Sequence, residues 1–298
     1  DFAVLSLQQL HVSGHDIAAV VTAPDRKRGR GQKLSPTPVK EYALAHGIPV
    51  LQPDTLKDPV FADALRSFAA DCFVIVAFRI LPETVFSIPP RGSFNLHASL
   101  LPKYRGAAPI NWALINGEEK SGVTTFFLRQ KVDTGNIILQ EEVDLEENMT
   151  AGQLHDTLAE IGADIVLRTV QMIEDGTAVA MPQQDAEASP APKIFRESCA
   201  IDWSKEAGDV HNHIRGLSPY PAAWTMLDGK QMQILISRVA EQRSSGQPGS
   251  ITPDENVLRV QCGRGSIRLY EIKPEGRKRM SVQEYLRGHR ISESACFG

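Results

Sequence analysis

The feature that most restricts the fold is the apolar run from Cys72 to Phe78, within which the predicted strand Cys72–Ala77 is hydrophobic on both faces. Such a strand must be covered on both sides, the situation of a central strand in a parallel sheet flanked by helices. The neighbouring pattern agrees. Predicted strands at Ile17–Thr22, Ile48–Leu51 and Gly92–His97 alternate with predicted helices at Phe2–Leu10, Pro38–His46, Asp58–Ala69, Pro82–Ser87 and Pro109–Ile115. Asp58-Pro59 is a cap followed by proline at the first helical position, and Gly47 is a helix stop. A chain that opens on a helix feeding a parallel strand lacks the strand that usually precedes it. A first strand and its turn are therefore expected to be missing ahead of Asp1.

Past residue 120 the pattern changes. Val123–Leu128 and Ile137–Val143 flank a turn and predict a hairpin. Thr150 and Gln153 form a capping box. It opens a long helix with Leu154, Leu158, Ile161, Ile165 and Ile173 on its inner face, closed by Gly176. An α/β domain over residues 1–182 is expected, then a linker over 183–202 containing Ser189-Pro190-Ala191-Pro192, then a domain over 203–298. In the last, Ser204 is expected to cap a helix to Arg215, followed by strands Trp224–Leu227, Gln231–Ser237, Val257–Cys262 and Ser266–Ile272. Asp228-Gly229 between the first two is a hairpin signal. Short strands with glycine-rich turns point to a small OB-like β-barrel. The length of 298 residues accommodates two domains, since one domain takes roughly 100–200 residues. Cys72, Cys199, Cys262 and Cys296 form no C-x-x-C pair, which argues against zinc and thioredoxin-like sites. Scattered thiols, no secretory signal and no apolar stretch near the ~20 residues of a membrane span point to a cytoplasmic chain, expected as a monomer.

The densest chemistry lies in Phe94-Asn95-Leu96-His97-Ala98-Ser99-Leu100-Leu101-Pro102, followed by Arg105-Gly106. With a period of two, Asn95 and His97 share one strand face, and Phe94 and Leu96 the other. Polar side chains at the carboxyl end of a parallel strand stand where open α/β sheets bind ligands. An amide beside an imidazole offers a fixed donor together with an acid or base; the same pair can also simply satisfy nearby backbone. Asp133, in Lys131-Val132-Asp133-Thr134-Gly135, reads first as a turn-former bonded to its own backbone. It gains a chemical role only if the fold carries it to His97, where a carboxylate would orient the imidazole and favour its charged form. Ser99 lies outside any Gly-x-Ser-x-Gly elbow, which disfavours a hydrolase triad. His211 and His213, one residue apart in a predicted helix, point to different faces and do not read as a metal pair.

Residues 25–33, Asp25-Arg26-Lys27-Arg28-Gly29-Arg30-Gly31-Gln32-Lys33, carry five bases against one acid, while the whole chain has a net charge of −4. The glycines predict a mobile loop at the carboxyl end of a strand. A charge run is ordinarily a solvated face, yet this position suits an anionic substrate, phosphate above all, because arginine binds it bidentately. Arg277-Lys278-Arg279 is a second basic cluster.

The pattern Asn95-x-His97-x-Ser99-Leu100-Leu101-Pro102-x-x-Arg105-Gly106, with Val132-Asp133-Thr134-Gly135, resembles the signature of the folate-dependent formyltransferases. The similarity runs through Ala107-Ala108-Pro109, the stretch Pro24–Lys40 and Ile201-Asp202-Trp203-Ser204, covering nearly the whole chain. It implies a Rossmann-like catalytic domain and a C-terminal OB-like β-barrel. It implies 10-formyltetrahydrofolate as co-substrate, no metal, and the α-amino group of methionine on initiator tRNA as acceptor, in translation initiation. Asn95, His97 and Asp133 take the catalytic positions. Val76, Phe78, Ile80, Leu81, Ser99, Leu100, Leu101 and Pro102 are the implied folate-binding residues. Arg26, Lys27, Arg28, Arg30, Lys33, Arg277, Lys278 and Arg279 are the implied tRNA-binding residues. The segment Ala77-Phe78-Arg79-Ile80-Leu81-Pro82 is one residue shorter than the family's commoner Ala-Tyr-Gly-x-Ile-Leu-Pro and carries Arg79. Ala98 stands where glycine is common.

Competing readings are a formyltransferase of the same fold acting on an amino sugar nucleotide or glycinamide ribonucleotide, and a non-catalytic RNA-binding protein. The two basic clusters favour RNA over the first, and intact Asn95, His97 and Asp133 oppose the second. A nicotinamide dehydrogenase is disfavoured because no Gly-x-Gly-x-x-Gly follows a strand.

Overall fold

The computed structural model describes residues 2–28, 33–292 and 294–298, with the backbone alone for Lys27, Arg28 and Lys33. The chain forms two compact units, one of residues 1–106, 122–142 and 156–190, the other of residues 107–121, 143–155 and 191–298.

The first unit begins with α1 (Phe2–Val12), which buries Phe2, Ser6 and Leu10 at four-residue spacing. Strand β1 (Val20–Val21) leads into a hairpin of β2 (Arg26–Arg28) and β3 (Lys33–Ser35), then α2 (Pro38–Ala45) and β4 (Val50–Leu51). β1 and β4 are parallel. The strand expected over residues 17–22 keeps only two ladder residues, because β4 is its one neighbour among the described residues. The stretch expected as a loop is paired at both ends, Arg26 with Ser35, Lys27 with Leu34 and Arg28 with Lys33 in antiparallel register, while Gly29 to Gln32 lie outside the described residues. Its base is tied by Lys40 Nζ, which donates to Asp25 at 2.8 Å and to Gln52 at 2.6 Å, while Gln52 donates to Asp25 at 2.9 Å. Lys40, the larger influence, and Gln52 hold the Asp25 carboxyl below its usual range.

Helix α3 (Pro59–Ser67) is capped by Asp58, which accepts from the Val60 N–H at 2.9 Å. A four-stranded sheet follows, in the order β5 (Phe73–Val76), β6 (Ser93–His97), β8 (Lys120–Phe127), β9 (Ile137–Asp144). Between them in the chain come α4 (Glu83–Phe86), β7 (Arg105–Gly106) and α5 (Pro109–Ile115). β5 and β6 are parallel, whereas β6 and β8 are antiparallel. The parallel part of the sheet thus ends at β6. Helix α6 (Ala151–Glu174) covers one face of this strand, and at Gly162 a Cβ would stand 2.8 Å from Leu96 Cδ2. That close approach explains why Ile161, expected on the inner face, is only half-buried while Leu154, Leu158, Ile165 and Ile173 are buried. The expected capping box forms, with the Thr150 N–H on Gln153 Oε1 at 2.9 Å and the Gln153 N–H on Thr150 Oγ1 at 3.3 Å.

The second unit contains β10 (Pro190–Ala191) in part, α7 (Ala207–Leu217), β11 (Ala223–Leu227), β12 (Lys230–Glu241), β13 (Ile251–Asp254), β14 (Val257–Gln261), β15 (Ser266–Pro274), β16 (Met280–Ser281) and α8 (Val282–Gly288). The strands are ordered β11-β12-β15-β14-β13, with β16 beside β15, and each pairing is antiparallel. Among the described residues no ladder joins β11 to β13, so the expected barrel is an open sheet here. Asp228 and Gly229 both have positive φ, 50° and 73°, as a two-residue hairpin requires. Ser204 does not cap a helix. Its N–H and hydroxyl both bond Asp202 Oδ1, at 3.0 and 2.6 Å, and α7 begins three residues later. Trp203 is core, stacked on Phe297 at 5.3 Å with its N–H on Thr225. Four elements of this unit escaped the sequence reading. β10 lies within the expected linker. β13 contains Pro253, which suits an edge strand but breaks the pattern; β16 is two residues long; and α8 carries a detectable capping box, Ser281 with Glu284.

His211 and His213 are both in α7, and burial holds both imidazoles below the ordinary histidine value of 6.5. His211 pairs with Ser237 Oγ at 2.9 Å and the Glu147 carbonyl at 3.2 Å. The unfolded chain therefore binds more protons than the folded one as pH falls through 6.5. Thermal melts should show the stability contributed by these two residues intact above that pH and declining below it. The His211→Asn/His213→Asn double variant should show a flatter decline between pH 6.5 and the folded-state pKa values.

Candidate active site

The site is built on the carboxyl end of β6. The α6 side takes Phe94 and Leu96, both buried, so Asn95 and His97 occupy the opposite face. Asn95 lies between Ile75 of β5 and Phe126 of β8 in register. Among the described residues, no protein group hydrogen-bonds its partly exposed carboxamide. It is a donor pair already placed by the sheet and open to a ligand.

His97 is buried, and its Nε2 donates to the Tyr104 carbonyl at 2.8 Å. Its Nδ1 therefore faces the other way, 4.0 Å from Asp133 Oδ2. Sequence alone left Asp133 between a turn-former and a distant partner for His97. In the structure its carboxylate accepts the Gly106 N–H at 2.9 Å, 27 residues away in sequence. Thr134 takes the local role, donating to the Lys131 carbonyl at 2.8 Å.

The path to His97 is not direct. The Leu128 N–H still bonds the Ser93 carbonyl, at the amino end of β6. The connection must therefore fold back along the strand for about 13 Å, four residues at strand rise. Two positions permit this. Asp133 has φ +53°, a left-handed conformation that aspartate tolerates. At Gly135 a Cβ would lie 1.6 Å from the Phe127 carbonyl oxygen, so only glycine lets the loop lie flat on β8.

One contributor was missed because it lies in the expected linker. Gln183 Nε2 donates to the carbonyls of Asp133 and Gly135 at 2.9 and 2.8 Å. Its Oε1 accepts from Arg105 Nε and Nη2 at 3.0 and 2.7 Å. Arg105 also meets Asp185 at 2.8 Å, which holds that carboxyl below its usual range. A glutamine ahead of a Ser-Pro segment carries no periodic signal, so nothing local in the sequence marks it.

The residues expected at folate divide into two groups. Val76 ends β5, Phe78 and Leu81 are half-buried, and Ile80 is exposed. Among the described residues, the main-chain groups of residues 78–81 make no hydrogen bond, so they remain free to meet the polar edge of a flat ring. Arg79, the residue that departs from the family pattern, lies over the Phe78 ring at 5.4 Å and donates to the carbonyls of Pro53 and Asp54. In the second group, Ser99 and Leu101 are buried inside their own loop, while Leu100 and Pro102 stay partly open. Ser99 Oγ donates to the Lys103 carbonyl at 2.7 Å. Thr124 Oγ1 donates to the Ser99 carbonyl at 2.6 Å and accepts from the Leu101 N–H at 3.1 Å and from Gln140 Nε2 at 3.0 Å.

Of the basic residues, Arg26 is exposed on β2, while Arg30 lies outside the described residues, as do the side chains of Lys27, Arg28 and Lys33. Arg277 and Lys278 are exposed between β15 and β16, and Arg279 is paired with Glu271.

A family described as "Formyl transferase" matches residues 1–170, and one described as "Formyl transferase, C-terminal domain" matches residues 193–290. The methionyl-tRNA formyltransferase of Bacteroides fragilis is 44% identical over 99% of this chain and 94% of its own length. That of Syntrophus aciditrophicus is 46% identical over 100% and 96%. Among solved structures, WlaRD, a sugar 3N-formyl transferase crystallised with dTDP and 5-N-formyl-THF, superposes with a TM-score of 0.70 over 93% of this chain and 96% of its own, at 21% identity, which is a likeness of fold.

Thr124 sits at the centre of the loop's internal bonding. Thr124→Val keeps the volume and leaves a buried N–H and carbonyl unpaired, so it should destabilise the chain by about 2–4 kcal/mol in urea unfolding.

Proposed function

The chain belongs to the formyl transferase family, and on that footing we infer that it formylates the α-amino group of methionyl initiator tRNA, the activity for which its relatives at 44–46% identity are named. The formyl donor is a folate, read here as 10-formyltetrahydrofolate. The observation that carries the reading is that a segment distant in sequence reaches the carboxyl end of β6: the Asp133 carboxylate lies 4.0 Å from Nδ1 of His97, which shares its strand face with the open Asn95 amide.

The reaction follows from their chemistry. The methionine amine attacks the formyl carbon, an N–C bond forms, and the carbonyl oxygen becomes an oxyanion. The Asn95 amide donates to that oxygen, and so does Nδ1–H of a protonated His97, since Nε2 is already engaged by the Tyr104 carbonyl. Asp133 stabilises the imidazolium and takes the proton from the attacking nitrogen. The bond from formyl carbon to the folate nitrogen then breaks as that nitrogen receives the proton. Catalytic contacts that are long before substrate binds tighten in the loaded site. The free main chain of residues 78–81, with Val76, Phe78 and Leu81 as walls, suits the pterin, and Leu100 and Pro102 are the accessible part of the second group.

The hairpin β2–β3 suits RNA. Five bases fall within residues 26–33, and a local excess of positive charge attracts a phosphate backbone. Residues 1–182 are read as the transfer domain, 183–202 as the connection, and 203–298 as an OB-like domain that adds Arg277 and Lys278 to the tRNA contact.

Labelled formyl donor should transfer to methionyl-tRNA in preference to an amino sugar nucleotide or glycinamide ribonucleotide; transfer to either of the latter alone would overturn the assignment. Asn95→Ala should lower the single-turnover rate by about 10²–10³-fold. Arg30→Ala should raise KM for charged tRNA with folate KM unchanged, and tRNA affinity should fall linearly on a log–log salt plot.

A further inference from the structure

We propose that Gln183 is a positioning residue for the transfer reaction, and that its carboxamide holds Asp133 at the reacting centre. The proposal rests on the reading of Asp133 as the group that takes the amine's proton. It makes the start of the apparent linker part of the catalytic apparatus.

Asp133 is gripped at two places. Its carboxylate accepts the Gly106 N–H at 2.9 Å, and its own carbonyl, with that of Gly135, accepts from Gln183 Nε2 at 2.9 and 2.8 Å. Gln183 is in turn fixed by the Arg105 fork on its oxygen. Both grips therefore lead to one dipeptide, Arg105-Gly106. The adjoining residue, Tyr104, supplies the carbonyl that holds His97 Nε2. Residues 104–106 thus form a common rail for His97 and Asp133. The segment after Gln183 secures that rail: Ser189 Oγ accepts the Tyr104 N–H and the Ser189 carbonyl accepts the Arg105 N–H, each at 2.9 Å.

Only an amide satisfies the Gln183 position. The group must accept from a guanidinium on one side and donate two N–H bonds to carbonyls on the other. Glutamate can only accept, and would set a negative charge against the two carbonyls. Methionine has the length and neither function. Asp133 stands in a left-handed turn, φ +53°, on a loop that doubles back along β6, so it has no regular ladder of its own to hold it.

The test is a double-mutant cycle in the full chain, assayed with charged tRNA and the folate donor. Gln183→Met should lower kcat by about 10–100-fold, the effect of roughly 1 Å of misplacement, with both KM values within about twofold. In an Asp133→Asn background it should add nothing, because a group that acts through Asp133 has no effect once the carboxylate is gone. A merely structural residue would lower activity in both backgrounds alike. If Gln183→Met does not fold, Gln183→Glu, which keeps the acceptor towards Arg105, carries the same cycle. If Asp133→Asn abolishes activity while the Gln183 variant matches the parent, or the two losses multiply, the positioning role is overturned. If Asp133→Asn alone leaves kcat intact, the reading of Asp133 is what fails.

Discussion

A single hydrogen bond, from the Gly106 N–H to the Asp133 carboxylate at 2.9 Å, ties together the two segments on which the site depends. A backbone donor on a charged acceptor is roughly twice as strong as a neutral pair. It also cannot rotate away as a side-chain donor can. Among the described residues the 128–136 connection is otherwise held by backbone bonds at its two ends, by Thr134 and by the carboxamide of Gln183, none of which grips the acid itself. With the Gly106 bond, a residue from a hairpin beyond the parallel strands comes within 4.0 Å of a histidine on β6.

The rest of the site is organised so that side chains remain available for chemistry while structural bonding falls to backbone and to buried hydroxyls. Tyr104 orients His97 with a carbonyl, Thr124 closes the 99–103 loop from a fully buried position, and Ser99 bonds within that loop. Asn95 is left without a protein partner among the described residues. An amide that is held by the sheet yet unsatisfied is pre-organised to bind a developing charge, because little reorganisation is needed when the charge appears.

The same economy shapes the basic hairpin. Its base is closed by Lys40, Asp25 and Gln52. The clamp engages Asp25, the one acid of residues 25–33, with Lys40, a useful arrangement where the partner is a polyanion and association is steered by charge. Lys40, with Gln52, holds the Asp25 carboxyl below its usual range, which favours its charged form in the clamp.

Local physics made much of this legible in the sequence. The caps at Asp58 and Thr150, the Asp228-Gly229 turn and the shared face of Asn95 and His97 depend on neighbours within a few residues, and the residues alone dictate them. The strand at 73–76, expected at the centre of a parallel sheet, is the edge of the four-stranded sheet among the described residues, with only Ile75 buried. The resemblance that named Asn95, His97 and Asp133 as a set rested on spacing and motif. Their meeting did not follow from spacing. Whether Asp133 was a turn-former or a partner to His97 depended on a loop doubling back over β8, which Gly135 permits only because the Phe127 carbonyl is there. Gln183 was invisible because its partners lie about 50 and 78 residues away. Ser204 misled for the converse reason: a cap and an Asp202 turn use the same hydroxyl, and only the folded chain shows which won. Sequence determined the elements and the chemical inventory, because helix, strand and turn preferences are local. Tertiary structure decided which groups face one another, because hydrogen bonds between distant segments form only after the sheet has brought those segments together.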